Sequence, residues 1–155
     1  MKRTRLIPAF LLVVLAACQS PAGEPQEAVL LSKATVTHGT SFGMCGGYCV
    51  SELVVDGRTV TFTERSHGYD PAPRTRQVEI TAAEAARIAS LATLANVRPV
   101  AGVHGCPDCA DGGAEWIEVK TSADSVKATY QFGHDLDRIA ELQRELRALR
   151  ERFPR

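Results

Sequence analysis

The chain has 155 residues, in which 18 lysines and arginines are balanced by 18 aspartates and glutamates. This balance leaves no basic excess for a phosphate backbone, which argues against a nucleic-acid-binding protein. Hydrophobic residues make up 45% of the sequence and charged residues 23%, as in ordinary globular proteins. The length suits one domain with a single core, and the sequence shows no repeat of the kind that builds solenoids or propellers.

The N-terminus combines positive charge with a short apolar run. Lys2, Arg3 and Arg5 precede an apolar stretch over residues 6–15, and small residues follow it. This order predicts a secretory signal peptide over residues 1–17. The apolar run is too short to cross a bilayer, which takes roughly 20 residues.

The signal ends in Leu15-Ala16-Ala17-Cys18, which resembles the lipobox of bacterial lipoproteins. The resemblance implies that the signal is cleaved before Cys18, that this cysteine is diacylated, and that the new N-terminus is acylated. One acyl chain binds a membrane marginally, whereas two or more make a durable anchor. We therefore expect a cell-envelope protein whose partner is a membrane. An aspartate in place of Gln19 would favour the inner membrane, so the resemblance favours the outer membrane.

The residues after the lipidation site are expected to form a spacer. Residues 18–28 are rich in turn formers and lack large apolar side chains, which is typical of a flexible tether. Loss of residues 1–17 removes three basic residues and no acidic one, so the mature chain becomes slightly acidic. Residues 29–155 are predicted to form a single globular domain.

Alternating polar and apolar residues predict most of the strands of this domain. Asp56-Gly57 separates two alternating segments, and both residues tolerate the positive φ of a tight turn, so we expect a hairpin. Val60 and Phe62 would then share one face of its second strand. The predicted strands cover residues 29–38, 51–55, 59–65, 76–80, 115–121 and 125–132.

Two helices are predicted in the same domain. Thr81 and Glu84 have the spacing of a capping box that begins a helix over residues 81–95. Apolar residues that recur every three or four positions predict a final helix over residues 136–152, with Asp135 as its cap and its charged residues on a solvated face. The order of elements predicts an α+β fold, in which a mainly antiparallel sheet of about five strands carries both helices on one face.

Four cysteines remain once Cys18 carries lipid, and they lie in two loops. An even number in an exported protein indicates two disulfide bonds. The spacing also fits a four-thiolate zinc site, with His104 as a substitute ligand, although an oxidising envelope converts thiolates to disulfides first. A redox C-P-D-C site is the third alternative, but a loop with two aspartates would raise a thiol pKa. The four residues are Cys45, Cys49, Cys106 and Cys109.

The spacing of these cysteines leaves the pairing open. Bonds between the two loops would stabilise the fold by roughly 4 kcal/mol each, against about 2 kcal/mol for bonds within one loop. Proximity along the chain favours the bonds within each loop.

Residues 42–49, FGMCGGYC, followed by the turn at Asp56-Gly57, resemble an uncharacterised bacterial domain family. Its members carry a glycine-containing C-x3-C before a strand with a DG turn. The resemblance spans most of the mature domain and implies the same fold. Because members often lack the second cysteine pair, it also implies the pairs Cys45–Cys49 and Cys106–Cys109. No activity comes with the family.

No residue pattern identifies a reaction. His38, His67 and His134 are interpreted as surface or capping residues, and Trp116 as a packing residue. The motifs of serine hydrolases, zinc proteases and phosphate-binding loops are absent from the sequence. We therefore expect a non-catalytic binding or structural domain, without a cofactor, whose envelope-protein or small-molecule partner is unidentified. A metal- or thiol-dependent activity at the cysteine loops is the alternative.

Overall fold

The computed structural model describes residues 34–68 and 71–153. The predicted signal peptide, Cys18, the tether and residues 29–33 of the first predicted strand lie outside the described residues. The described part is an α+β domain, as predicted, and contains one sheet and three α-helices.

A mixed sheet of seven strands is the centre of the described domain. Its order is β4-β3-β2-β1-β6-β7-β5, where the strands are β1 (Ala34–Ser41), β2 (Val50–Asp56), β3 (Thr59–Arg65), β4 (Arg74–Glu79), β5 (Gly102–His104), β6 (Ala114–Thr121) and β7 (Ser125–Gln131). It differs from the predicted sheet of about five antiparallel strands in number, and in that β5 runs parallel to β7. With only three residues, β5 is too short to show the alternation that identifies a strand.

The described helices are α1 (Ala82–Leu91), α2 (Leu94–Val97) and α3 (Ala140–Arg152). The capping box is present, because the Thr81 side chain accepts from the Glu84 backbone N–H while the Glu84 carboxylate accepts from the Thr81 N–H at 2.8 Å. The predicted helix over residues 81–95 is interrupted, since Thr93 caps a second helix by accepting from the Asn96 N–H. Within the described residues no helix has the length and apolar character needed to cross a bilayer.

The predicted β2–β3 hairpin is confirmed, and its register decides which side chains face the helices. Gly57 has a φ of +58°, which glycine adopts without strain. Val55 pairs with Val60, and Leu53 pairs with Phe62. These four side chains share one face and are buried together with apolar residues of all three helices. The helices therefore cover one face of the sheet.

Trp116 packs on the face of the sheet that the helices do not cover. It lies between the helix-facing residues Glu115 and Ile117 of β6, yet only 8% of it is exposed. Its indole lies against Gly39, the residue that pairs with it on β1, and Lys127 Nζ is 4.8 Å from the ring centroid. The missing side chain at residue 39 provides the space that the indole fills, so Trp116 is a packing residue, as predicted.

This contact predicts that Gly39→Ala destabilises the domain. A Cβ atom at residue 39 would overlap the indole of Trp116, and overpacking of this kind costs about 1–3 kcal/mol. Urea denaturation measures the loss. Gly46→Ala is the matched control, because a Cβ atom there meets nothing within 4 Å. We expect it to stay within about 0.5 kcal/mol of the wild type. Equal stability of the two variants would contradict the packing described.

Candidate functional site

The predicted cysteines lie in two loops at one end of the sheet. Cys45 and Cys49 lie between β1 and β2, with their Cα atoms 5.6 Å apart, and Cys106 and Cys109 lie between β5 and β6, with their Cα atoms 5.4 Å apart. Both pairs are at disulfide distance, which is compatible with a bond within each loop.

The two cysteine loops contact each other directly. The Gly43 backbone N–H donates to Asp108 Oδ1 at 3.1 Å. The ring of Phe42 meets the edge of Phe132, with 4.9 Å between centroids, and packs over Gly113. The loops therefore form one continuous surface, called here the cysteine surface, which comprises residues 42–49, 106–113 and Phe132.

The geometry of the second loop bears on the metal and redox alternatives. Cys109 begins a short 3₁₀ turn, not an α-helix, and its neighbours Asp108 and Ala110 have positive φ. His104 bonds the Val100 carbonyl at 2.8 Å. Among residues 34–68 and 71–153, no three His, Cys, Asp or Glu residues are grouped so that they could hold a metal ion. The geometry of the described loop therefore provides no support for the zinc site or for the redox-active C-P-D-C site.

A buried carboxylate, that of Glu115, lies under α3 near the cysteine surface. His38 Nε2 lies 2.6 Å from Glu115 Oε1, and the Arg147 guanidinium donates to both carboxylate oxygens at 2.8 and 3.0 Å. The Gly133 N–H donates to Oε2 at 3.0 Å, and the Tyr130 hydroxyl donates to Oε1 at 3.3 Å. We call Glu115 and these four partners the Glu115 network. It joins β1, β6, β7 and the turn after β7 to α3.

Arg150 lies near the ring nitrogen of His38 that does not face Glu115, and it determines which nitrogen carries the proton. Its guanidinium donates to the His38 carbonyl at 2.7 Å and lies 3.3 Å from His38 Nδ1, and it also bonds Ser51 on β2. Because a guanidinium can only donate, Nδ1 must accept and the proton resides on Nε2. His38 is thus held as the neutral tautomer that donates to Glu115.

Burial and hydrogen bonding shift the pKa values in the Glu115 network. Burial alone raises the pKa of Glu115, but the hydrogen bonds from His38 and Arg147 outweigh it and lower that pKa to about 2. Burial lowers the pKa of His38, despite its bond to Glu115, and burial raises the pKa of Tyr130. At neutral pH the Glu115 carboxylate is ionised, whereas the His38 ring and the Tyr130 hydroxyl are neutral.

Three expectations about these side chains are wrong. His38 is only 1% exposed and is not a surface or capping residue. Arg147 and Arg150 do not belong to a solvated face, because both reach from α3 to the sheet. Asp135 does not cap the final helix but pairs with Arg147 at 2.6 Å. That helix begins with a 3₁₀ turn over Asp137–Ile139. For His67 and His134, which were expected together with His38 to be surface or capping residues, exposure is confirmed.

His38 and Glu115 are residue types that can form a catalytic acid–base pair, but their burial indicates a structural role. A catalytic acid or base must come within hydrogen-bond reach of a substrate. Both side chains are 1% exposed, and the polar atoms of both are bonded within the domain. The arrangement fastens α3 to the sheet.

An apolar cavity lies at the opposite end of the sheet. Its volume is about 440 Å³, and it lies between α1 and strands β1, β2 and β6. None of its described lining residues carries a charge, and five of them are alanines: Ala34, Ala85, Ala86, Ala89 and Ala92. The sequence signal for this cavity is the alanine-rich buried side of α1, where larger residues would normally fill the space against a sheet.

No protein-family model matches the chain, and no curated protein sequence is significantly similar to it. The candidate sites therefore stand on their geometry.

The Glu115 network predicts that acid destabilises the domain. The pKa of Glu115 is about 2 in the folded state and near 4.5 when unfolded. The pKa of His38 is likewise below its usual 6.5. In both cases the unfolded chain binds more protons, so stability falls as pH decreases, first below about pH 6.5 through His38 and then between about pH 4.5 and 2 through Glu115. Urea unfolding at a series of pH values measures this fall.

The same network can be tested by Glu115→Gln at pH 7. Removal of one partner from a buried ion pair typically costs about 3–5 kcal/mol, because the remaining charge is left without compensation. The variant should also lose the part of the acid dependence between pH 4.5 and 2 that Glu115 contributes. Glu84, whose pKa is likewise lowered by its bonds to Arg152 and Thr81, keeps its own part. Glu118→Gln is the control, since Glu118 is on the same strand but on the opposite face, bonded to Ser125 Oγ. It should change stability by less than about 1 kcal/mol. Similar losses in the two variants would rule out a special role for Glu115.

Proposed function

We propose that the protein is a lipid-anchored lipoprotein of the cell envelope whose domain binds a partner and does not catalyse a reaction. The anchor is supported by the order of basic residues, apolar run, small residues and Cys18 at the N-terminus. Three acyl chains on Cys18 would hold the domain at a bilayer without a protein span. Gln19 favours the outer membrane over the inner one.

The burial of the His38–Glu115 pair supports the proposal that the domain does not catalyse a reaction. The His38–Glu115 pair is the described cluster with the composition of an acid–base site, and it is sealed under α3 at 1% exposure. A substrate would reach it only if α3 left the sheet, which would break the bonds of Arg147 and Arg150. The pair is therefore suited to stability and not to turnover.

The cysteine surface supports a binding role. Met44 is 80% exposed and Phe132 is 47% exposed, and both lie on it. Disulfide bonds Cys45–Cys49 and Cys106–Cys109 would hold the two loops in fixed conformations, which lowers the entropy lost when a partner binds. We propose that both disulfide bonds form in the mature protein.

The anchor predicts the mass of the mature N-terminus. Intact-mass and peptide analysis of protein purified from membranes should find Cys18 as the first residue, carrying three acyl chains. Cys18→Ser is the control and should yield neither the lipid mass nor the cleavage before residue 18. Membrane fractionation should place the wild-type protein in the outer membrane. An unmodified N-terminus that begins at another residue would overturn the anchor.

The disulfide pairs predict the result of non-reducing peptide mapping. Two linkages should be recovered, each within one loop, with no metal bound to the purified protein. Cys45→Ser with Cys49→Ser should lower the free energy of unfolding by about 2 kcal/mol, since the bond closes a short loop. One equivalent of zinc with four free thiols, or linkages between the loops, would contradict the assignment.

A further inference from the structure

The described wall of the cavity between α1 and the sheet is mainly apolar and offers a ligand few polar contacts. Its hydroxyl groups belong to Ser90, Thr93 and Thr121, and each is already bonded to a nearby backbone group. Ser90 Oγ donates to a carbonyl at 2.7 Å, and the hydroxyl oxygens of Thr93 and Thr121 each accept from an N–H at 3.1 Å. A ligand with several polar groups would lose more hydrogen bonds to water than these three hydroxyls could replace. The wall therefore favours a ligand whose buried part is a hydrocarbon over one with polar groups.

The size of the cavity suits a flexible chain. An apolar cavity of about 150 Å³ accommodates a benzene ring, and the volume here is about 440 Å³. Ligand pockets in proteins fall in the range of roughly 300–1,000 Å³. The alanines of α1 keep this space open, because their methyl groups reach only a short way towards β1, β2 and β6.

The short chain segment between Cys18 and the cavity limits the distance between the cavity and a membrane. Ala34 is part of the wall and follows Cys18 by 16 residues. Sixteen residues span at most roughly 55 Å when fully extended. A lipid on Cys18 would therefore keep the cavity within that distance of a bilayer, whose acyl chains are a concentrated source of hydrocarbon.

The geometry points to a binding site for one acyl chain of a membrane lipid in the cavity between α1 and the sheet. The inference rests on the proposed lipid anchor, which supplies the source of the chain, and it names the ligand class of the proposed binding domain. The apolar chain enters the cavity, and the polar headgroup stays outside it because the described wall carries no charge to receive it.

Photo-crosslinking in membranes tests the site on the full lipoprotein. The probe is hexadecanoic acid with a diazirine near the end of its chain, added to membranes that contain the protein and activated with light. Peptide analysis should find the label on α1 and on β1 or β6. Ala89→Phe, which fills the cavity from α1, should lower this labelling about tenfold. Ala83→Phe is the matched control, because Ala83 is exposed on the same helix and does not line the cavity; it should label within twofold of the wild type.

The remaining outcomes separate this inference from the anchor. If Ala89→Phe does not fold, Ala86→Leu makes a smaller change in the same wall and should lower labelling at least threefold. A lipidated Cys18 with label only on residues 18–33 would overturn the acyl-chain site and leave the anchor intact. Label in the cavity of a protein without lipid on Cys18 would support the site and remove the anchor. Label that reaches the cavity only when the photoreactive chain is attached to Cys18 would overturn an external lipid as the ligand.

Discussion

The carboxylate of Glu115 is the group on which the helix-covered half of the structure depends. An ionised carboxylate in the interior is costly, and it is stable here only because Arg147 meets both oxygens while His38 and the Gly133 N–H add further bonds. These partners come from different parts of the chain, so the charge is satisfied only when β1, β6 and α3 are all in place. The network therefore ties α3 to β1, β6 and the turn after β7 in one position on the sheet.

The two ends of the domain have opposite chemistry, and the sheet separates them. At one end, Ser41 pairs with Ala114 and Val50, which brings the cysteine loops together beside the buried charge. At the other end, Ala34 pairs with Thr121, and the alanine-rich α1 leaves an apolar space. Polar bonds thus fix the first end, while small side chains leave the second end incompletely packed.

Local signals in the sequence predicted much of the fold. The turn at Asp56-Gly57 and the Thr81–Glu84 capping box each depend on residues a few positions apart, and both are present. The break between α1 and α2 was missed because Thr93 fits the middle of a helix pattern as well as a cap. β5 was missed because three residues carry no periodic signal.

The sites were harder to predict because they depend on contacts across the sheet. The predicted first strand ended at His38, but β1 continues to Ser41, so His38 is an interior residue of a central strand. Arg147 and Arg150 follow the buried Gln143 by four and seven positions, which places them along one border of the apolar stripe of α3. Only their contacts show that they turn inward. The cavity depends on the separation of α1 from the sheet, and no sequence pattern contains that distance.

The position of Trp116 has a consequence for how this protein can be observed. It is the single tryptophan of the chain, and it packs against Gly39 and Lys127 on the face of the sheet away from the helices. We therefore expect its fluorescence to report on the packing of the strands around Gly39 more than on the helical layer. A state in which α3 has separated but the sheet persists would keep native emission while it loses ellipticity. Comparison of the two signals during unfolding would show whether the layers separate together or one after the other.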